Sequence, residues 1–289
     1  MTLQSAPIEL AALTLMLALI GGLVPILSRI KEDRDILRRI TGVASGILLA
    51  SAILVVIPEG FELAMEEHDE GVHEEEEAGH EEEEGLEGLI IGGAILAGFM
   101  MMLMLEGSGI GHAVHEEHHN HEVDHGHEHI HHRNSPWIIV LGLSLHSAAD
   151  GLAIGSAAAG SSEAVTAIVA LAVLIHKVPA AFSLGVFSTH ERNERNDSIR
   201  DVVLFSVATP VMIMVSFYAL EGLDEHMIAL AMLFAGGTFL YVATVDTLPD
   251  IHNPETGREA LVNVIIGVAL MIVILYGADA AGLIGHGHD

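Results

Sequence analysis

Long apolar runs alternate along the chain with short, strongly polar segments. Eight runs of about 20 residues stand out, at 8–28, 41–64, 86–106, 137–159, 163–188, 202–221, 227–248 and 261–281. A helix of about 20 apolar residues spans the hydrocarbon core of a bilayer and satisfies its backbone groups without water. The pattern therefore predicts an all-α membrane protein, residues 1–289, with eight transmembrane helices in a single domain.

Basic residues occur on only one side of this arrangement, apart from Lys177. The other ten of the 11 Lys and Arg residues lie in loops that follow odd-numbered runs: Arg29, Lys31, Arg34, Arg38, Arg39, Arg133, Arg192, Arg195, Arg200 and Arg258. Cytoplasmic loops of membrane proteins carry an excess of Lys and Arg. The distribution predicts a multi-pass protein of the cell membrane with its N- and C-termini outside.

The composition adds a strong negative charge to this picture. The chain is 51% hydrophobic and has a formal net charge of −29, so its acidic residues are concentrated in the polar segments. Such a chain has a lipid bilayer and cations as partners rather than nucleic acid, and its acidic exterior resembles that of halophile proteins. It contains no cysteine, which leaves His, Asp and Glu to bind any metal.

Two of the polar segments have low-complexity sequences. The outer loop, residues 65–85, is acidic; it is either a solvated linker or a funnel that concentrates cations. The cytoplasmic loop, residues 107–136, is rich in histidine. Its ten histidines are His112, His115, His118, His119, His121, His125, His127, His129, His131 and His132. Alternating His and Glu predicts loose binding of metals such as Zn²⁺, with an inert linker as the alternative.

The fourth and fifth runs carry ionisable residues in their middle. His146 and Asp150 are four positions apart, so they share one face of the fourth helix. His176 lies about a dozen residues into the fifth run, which would place it at the same depth. Two imidazoles and a carboxylate suit Zn²⁺ or a similar divalent ion. The alternative is a set of buried polar groups that satisfy one another.

The residues around this set resemble a known family. H-S-A-A-D-G at 146–151 and H-K-V-P-A-A at 176–181 are similar to the paired metal motifs of the ZIP (Zrt/Irt-like) transporters. MLFAGGTFLYVAT at 232–244 and PEG at 58–60 resemble the branch that includes the ninth mammalian ZIP paralogue. The resemblance covers all eight runs. It implies the ZIP fold, with both termini outside and movement of divalent metal toward the cytosol.

The resemblance also implies which residues bind the metal. His146, Asp150 and His176 match the family's first metal position, whose last ligand falls on Ala180 and is missing. The second position of the family falls on Ser147, Lys177 and Ala180, which cannot hold a metal in the usual way. We therefore expect one metal ion where the family has two.

Lys177 is the one charged residue that the apolar pattern does not explain. A charged side chain in mid-membrane costs about 2.5–3.5 kcal/mol even on lenient scales. We expect Lys177 to be a counter-ion that pairs with Asp150 in place of the second metal. The alternative is a lysine whose ammonium reaches a membrane surface.

Other acidic residues near the helix ends fit a route for the ion. Glu59 and Glu62 lie near the outer end of the second run, where they would receive the metal, and Asp246 lies near the inner end of the seventh, where it would release it. Glu106, at the cytoplasmic end of the third run, is a weaker candidate. Plain polarity at a helix end is the alternative for each of them.

The leading functional hypothesis is import of Zn²⁺, with other divalent ions as further substrates, by a protein that is not an enzyme and has no catalytic cofactor. A homodimer is compatible with the sequence. One alternative is a membrane metal sensor without transport. Another is an intramembrane metalloprotease, but both motifs lack a general-base glutamate, and the H-E-x-x-H match at 115–119 lies in the repetitive loop. A retinal protein, bound through Lys177, would need more aromatic residues.

Overall fold

The computed structural model describes residues 7–28, 34–69, 80–108, 136–192, 194–252, 254 and 256–280. The helices are α1 Ile8–Leu27, α2 Arg34–Ser51, α3 Ile57–Asp69, α4 His80–Gly107, α5 Pro136–Gly160, α6 Glu163–Glu191, α7 Arg195–Leu220, α8 Glu225–His252 and α9 Gly257–Ala280. Every regular element in these ranges is helical, which confirms the prediction of an all-α protein. The histidine-rich stretch 112–132 lies outside the described residues, as does the central part of the outer loop.

Seven stretches of these helices are long and apolar enough to cross a membrane. They belong to α1, to the continuous α2–α3 unit, and to α4, α6, α7, α8 and α9, and they coincide with seven of the predicted runs. The remaining predicted run, 137–159, corresponds to α5, which has 25 residues. Its length of about 37 Å at 1.5 Å per residue would suffice to cross a bilayer. Like α6, which carries His176 and Lys177, it holds two buried ionisable residues, His146 and Asp150.

A π-helical segment, Ala52–Val56, joins α2 to α3. In this segment the N–H of Ile57 donates to the carbonyl of Ala52, five residues earlier. Pro58 follows directly and has no N–H with which to bond the carbonyl four residues before it. Single π turns commonly accommodate such an interruption without breaking the helix. The acidic residue Glu59 therefore lies on a helix whose register has been shifted just before it.

The helices that carry the ionisable residues are held close together by small residues. α5 packs along α7, and α6 packs along α1. At Gly151 of α5, an added Cβ would overlap the carbonyl oxygen of Thr209 on α7. Only glycine allows this approach of the two backbones, as at other crossings of membrane helices. The contact fixes the neighbouring Asp150 relative to α7.

A second cluster of charges ties together one end of these helices. Arg192, which caps α6, donates from Nε and Nη2 to the carboxylate of Asp201 on α7, at 2.7 and 3.0 Å. Its guanidinium also lies 4.9 Å from the ring centroid of Trp137, and that of Arg200 lies 4.6 Å from the same ring. Bidentate Arg–carboxylate pairs and cation–π contacts are among the more directional polar interactions. This end therefore joins the start of α5 to the end of α6 and the start of α7.

Candidate metal centre

α5 presents an imidazole and a carboxylate one helical turn apart. His146 and Asp150 are spaced i and i+4, and Nε2 of His146 lies 3.7 Å from Oδ1 of Asp150. Both side chains are buried, with 4% and 1% of their surface exposed. The i, i+4 spacing on one face of the helix is thus enough to bring the two side chains together, as the sequence pattern predicted.

α6 contributes the third group. Nε2 of His176 lies 3.3 Å from Oδ1 of Asp150, the same oxygen that His146 faces. The three side chains offer one donor atom each, and these atoms all lie within 4.8 Å of one another. Among the residues that the structure describes, His146, Asp150 and His176 form the one group of His, Asp and Glu side chains that could hold a metal ion.

The backbone of α6 fixes which nitrogen of His176 is available. Nδ1 of His176 lies 3.0 Å from the carbonyl oxygen of Ala172, one turn earlier. A carbonyl can only accept, so Nδ1 is the donor in this bond, and Nε2 is the ring nitrogen that faces Oδ1 of Asp150. Metal-binding histidines are commonly oriented by such a bond from the other ring nitrogen. Nε2 of His176 is therefore directed at Asp150 and is the nitrogen available to a metal ion.

The separations suit a small ion. In tetrahedral zinc sites with bonds of about 2.0–2.1 Å, neighbouring ligand atoms are about 3.3 Å apart. The two contacts to Oδ1 of Asp150 measure 3.3 and 3.7 Å, so small side-chain movements would bring both imidazoles into that geometry. Two nitrogens and one oxygen leave a fourth position for water or another ligand, which is the arrangement of zinc sites that exchange ligands.

The other carboxylate oxygen of Asp150 is engaged by Lys177. Nζ of Lys177 donates to Oδ2 of Asp150 at 2.8 Å, and Lys177 has none of its surface exposed. Asp150 thus presents Oδ1 to the two imidazoles and Oδ2 to the lysine. The lysine does not extend toward a surface, because its nitrogen is enclosed by α5, α6 and α7.

Polar groups on α5 and α7 anchor this lysine. Nζ of Lys177 donates to Oγ of Ser147 at 2.7 Å. Oγ of Ser147 lies 2.8 Å from both the carbonyl of Phe205 and Oγ1 of Thr209, and the Thr209 hydroxyl donates to the carbonyl of Ser147 at 2.7 Å. The ammonium also lies 4.5 Å from the Phe205 ring centroid. These contacts fix the direction from which Lys177 approaches Asp150.

An aromatic ring from α8 closes another side of the site. The ring of Phe239, which is fully buried, lies edge-on to both imidazoles, with centroid distances of 6.2 Å to His146 and 5.8 Å to His176. Phe239 brings no donor atom, so it shapes the space without adding a ligand. The roles of Phe239, Phe205 and Thr209 could not be predicted from the sequence, because an apolar residue or a lone threonine within an apolar run carries no local signal of its role.

Among the described residues, none of the other predicted site residues joins this group of donor atoms. Ala180 is half-buried and offers no donor, and Glu59 and Glu62 lie on α3. Glu106, at the end of α4, accepts a hydrogen bond from the hydroxyl of Tyr241 at 2.6 Å. Asp246 belongs to α8, and its side chain is outside the described part of the structure, like the ten histidines of the 107–136 loop.

Comparison with known proteins identifies the family. The family profile described as ZIP Zinc transporter matches residues 5–134 and 107–275, which together cover most of the chain. The chain belongs to the ZIP zinc transporter family. Members of this family are metal transporters rather than enzymes, and the resemblance noted from the two motifs is confirmed.

Two of the following relatives match over most of the chain, and a third matches over less than half of it. Zinc transporter ZIP9-A of Xenopus laevis is 32% identical over 291 residues, covering 89% of this chain and 93% of the relative. Zinc transporter ZIP9 of Micropogonias undulatus is 35% identical over 259 residues, covering 80% of each chain. Zinc transporter ZIP9 of Macaca fascicularis is 46% identical over 134 residues, covering 42% of this chain and 57% of the relative.

Proposed function

We propose that this protein carries zinc ions across a membrane toward the cytosol through one site formed by His146, Asp150 and His176. Membership of the ZIP zinc transporter family supports zinc as the substrate. The observation that carries the site assignment is the convergence of the three donor atoms within 4.8 Å, buried among helices that are long and apolar enough to cross a membrane. Buried ionisable groups in such helices generally belong to ion pathways.

The transporter has eight membrane spans in this proposal. Seven of them are the long apolar helices, and the eighth is α5, whose 25 residues include the first two ligands. Like α6, α5 carries buried ionisable residues in the middle of its length. The one-sided distribution of Lys and Arg supports an orientation with both termini outside the cell membrane.

The site holds a single ion. Where the family's motif would provide ligands for a second metal, this chain has Ser147, Lys177 and Ala180. Nζ of Lys177 lies between Ser147 and Asp150, 2.7 and 2.8 Å from their oxygens. The lysine nitrogen occupies the space beside Oδ2 of Asp150 that a second ion would need, and neither Lys177 nor Ala180 offers a carboxylate or imidazole to bind one. Lys177 therefore takes the place of the second metal and neutralises Asp150 when zinc is absent.

Acidic side chains at the two ends of the path help the ion to exchange its water. Glu59 and Glu62, on α3 just after the π-helical segment, form the outer access site, and Asp246 on α8 forms the release site. Each would stabilise a hydrated cation before or after it binds the two imidazoles. The histidines of the 107–136 loop bind released zinc loosely and buffer it near the cytoplasmic opening.

Zinc uptake into proteoliposomes tests the proposal directly. Purified wild-type protein should accumulate radioactive Zn²⁺, and His176→Ala should reduce the initial rate by more than about tenfold, because losing even a second-shell partner commonly costs that much. His190→Ala is the matched control, since His190 is an exposed histidine on the same helix, α6. Equal uptake by the two variants would contradict the site, and zinc binding by wild type without uptake would indicate a metal-binding protein instead of a transporter.

A further inference from the structure

We infer that Lys177 determines which metal this site accepts: by holding Oδ2 of Asp150, it restricts the carboxylate to one metal bond and so favours Zn²⁺ over larger, oxygen-preferring ions such as Mn²⁺. The inference rests on the proposed function, because it concerns the metal that the same site transports. It adds a role for Lys177 beyond that of a counter-ion.

The two oxygens of Asp150 have different partners. Oδ1 faces Nε2 of His176 at 3.3 Å and Nε2 of His146 at 3.7 Å, whereas Oδ2 accepts from Nζ of Lys177 at 2.8 Å. A metal bound between the imidazoles and Oδ1 could reach Oδ2 as well only if the lysine moved. While Lys177 keeps its place, Asp150 offers one oxygen.

The surroundings of Lys177 oppose such a movement. Its side chain is fully buried, its nitrogen donates to Oγ of Ser147 at 2.7 Å, and the Phe205 ring lies 4.5 Å away. Ser147 is itself held by Thr209 and by the carbonyl of Phe205. An amine donates a hydrogen bond to a carboxylate as an ammonium does, so the restriction does not depend on the charge of the lysine.

The resulting donor set is selective on chemical grounds. Two imidazole nitrogens and one oxygen, with one further position, match the tetrahedral preference of Zn²⁺. Mn²⁺ prefers oxygen ligands and octahedral coordination. Phe239 lines the side of the site toward α8 and supplies no oxygen. An ion that needs more oxygen ligands would gain most from the second oxygen of Asp150, which the lysine occupies.

The test is competition between Zn²⁺ and Mn²⁺ for uptake into proteoliposomes. In Lys177→Met, Oδ2 becomes free, and we expect the preference for Zn²⁺ over Mn²⁺ to fall about tenfold, the equivalent of one charge-assisted hydrogen bond. Ser147→Ala loosens the lysine without removing it and should lower the preference about threefold. Ser156→Ala is the matched control, since among the described residues its buried hydroxyl bonds to carbonyls of its own helix, those of Leu152 and Ala153.

Lys177→Met leaves the Asp150 carboxylate without its cation and lowers stability, so Ser147→Ala provides an independent reading if the first variant does not fold. An unchanged Zn²⁺:Mn²⁺ preference in either folded variant would overturn the inference. The same preference can be measured without transport, by equilibrium binding of Zn²⁺ and of Mn²⁺. Binding at this site is the part that is present in wild type and absent in His176→Ala. If wild type took up no zinc but this binding preferred Zn²⁺ and lost its preference in Ser147→Ala, the proposed function would fail and the inference would stand.

Discussion

Asp150→Asn should destabilise the protein strongly, and Lys177→Met should largely reverse that loss. The Asn side chain has nearly the same shape but no charge, so it leaves the Lys177 ammonium buried without a counter-charge. At the observed 2.8 Å, the attraction between the two charges is about 6 kcal/mol for an effective dielectric constant of about 20. Removing one member of such a buried pair costs about 3–5 kcal/mol, whereas replacing both members is often nearly neutral. We expect the double variant to recover to within about 1–2 kcal/mol of wild type.

The assay is thermal unfolding in detergent. Samples are heated, and the amount of protein that remains folded is measured by size-exclusion chromatography. A loss of 3–5 kcal/mol corresponds to a midpoint lowered by about 10 °C for a chain of this size. Asp201→Asn is the control, because Asp201 is also a buried carboxylate but pairs with Arg192. Lys177→Met should not rescue Asp201→Asn, since the two sites share no partner. A double variant no more stable than Asp150→Asn alone would refute the paired-charge argument.

Two further predictions concern packing and the cytoplasmic loop. Gly98→Ala should lower thermal stability markedly, because a Cβ there would overlap the carbonyl oxygen of Phe234 on α8. Gly92→Ala, on the same helix, should be tolerated, because a Cβ there meets nothing within 4 Å among the described residues. Equal stabilities of the two variants would contradict this helix contact. Deleting residues 112–132 should preserve the maximal rate of zinc uptake while changing its dependence on zinc inside the vesicles, and complete loss of flux would instead make the loop part of the pathway.

The sequence predicted those features that depend on local pattern. Runs of apolar residues predicted where the helices lie, because burial in lipid demands long uninterrupted apolar segments, although α2, α4 and α7 begin six or seven residues before their runs. The spacing of His146 and Asp150 predicted their shared face, because residues four positions apart lie on the same side of a helix. By contrast, the π-helical segment before Pro58 depends on how one proline redirects several hydrogen bonds, and hydropathy does not record that.

The partners of the site were harder to predict because they come from elements distant in sequence. Thr209 anchors Ser147 from 62 residues away along the chain, and Phe239 reaches the imidazoles from α8. Neither residue type is unusual in an apolar helix, and only the packing of α5 against α7 and α8 gives these residues their role. The sequence likewise does not show that one oxygen of Asp150 faces the two imidazoles while the other accepts a hydrogen bond from Lys177.

A crystal structure of the zinc-loaded protein, with an anomalous difference map at the zinc absorption edge, tests the central claim most directly. The single-ion site predicts one intramembrane peak, bound by Nε2 of His146, Oδ1 of Asp150 and Nε2 of His176, with Nζ of Lys177 still beside Oδ2 of Asp150. A second peak between Ser147 and Lys177, or no peak among the three proposed ligands, would contradict it.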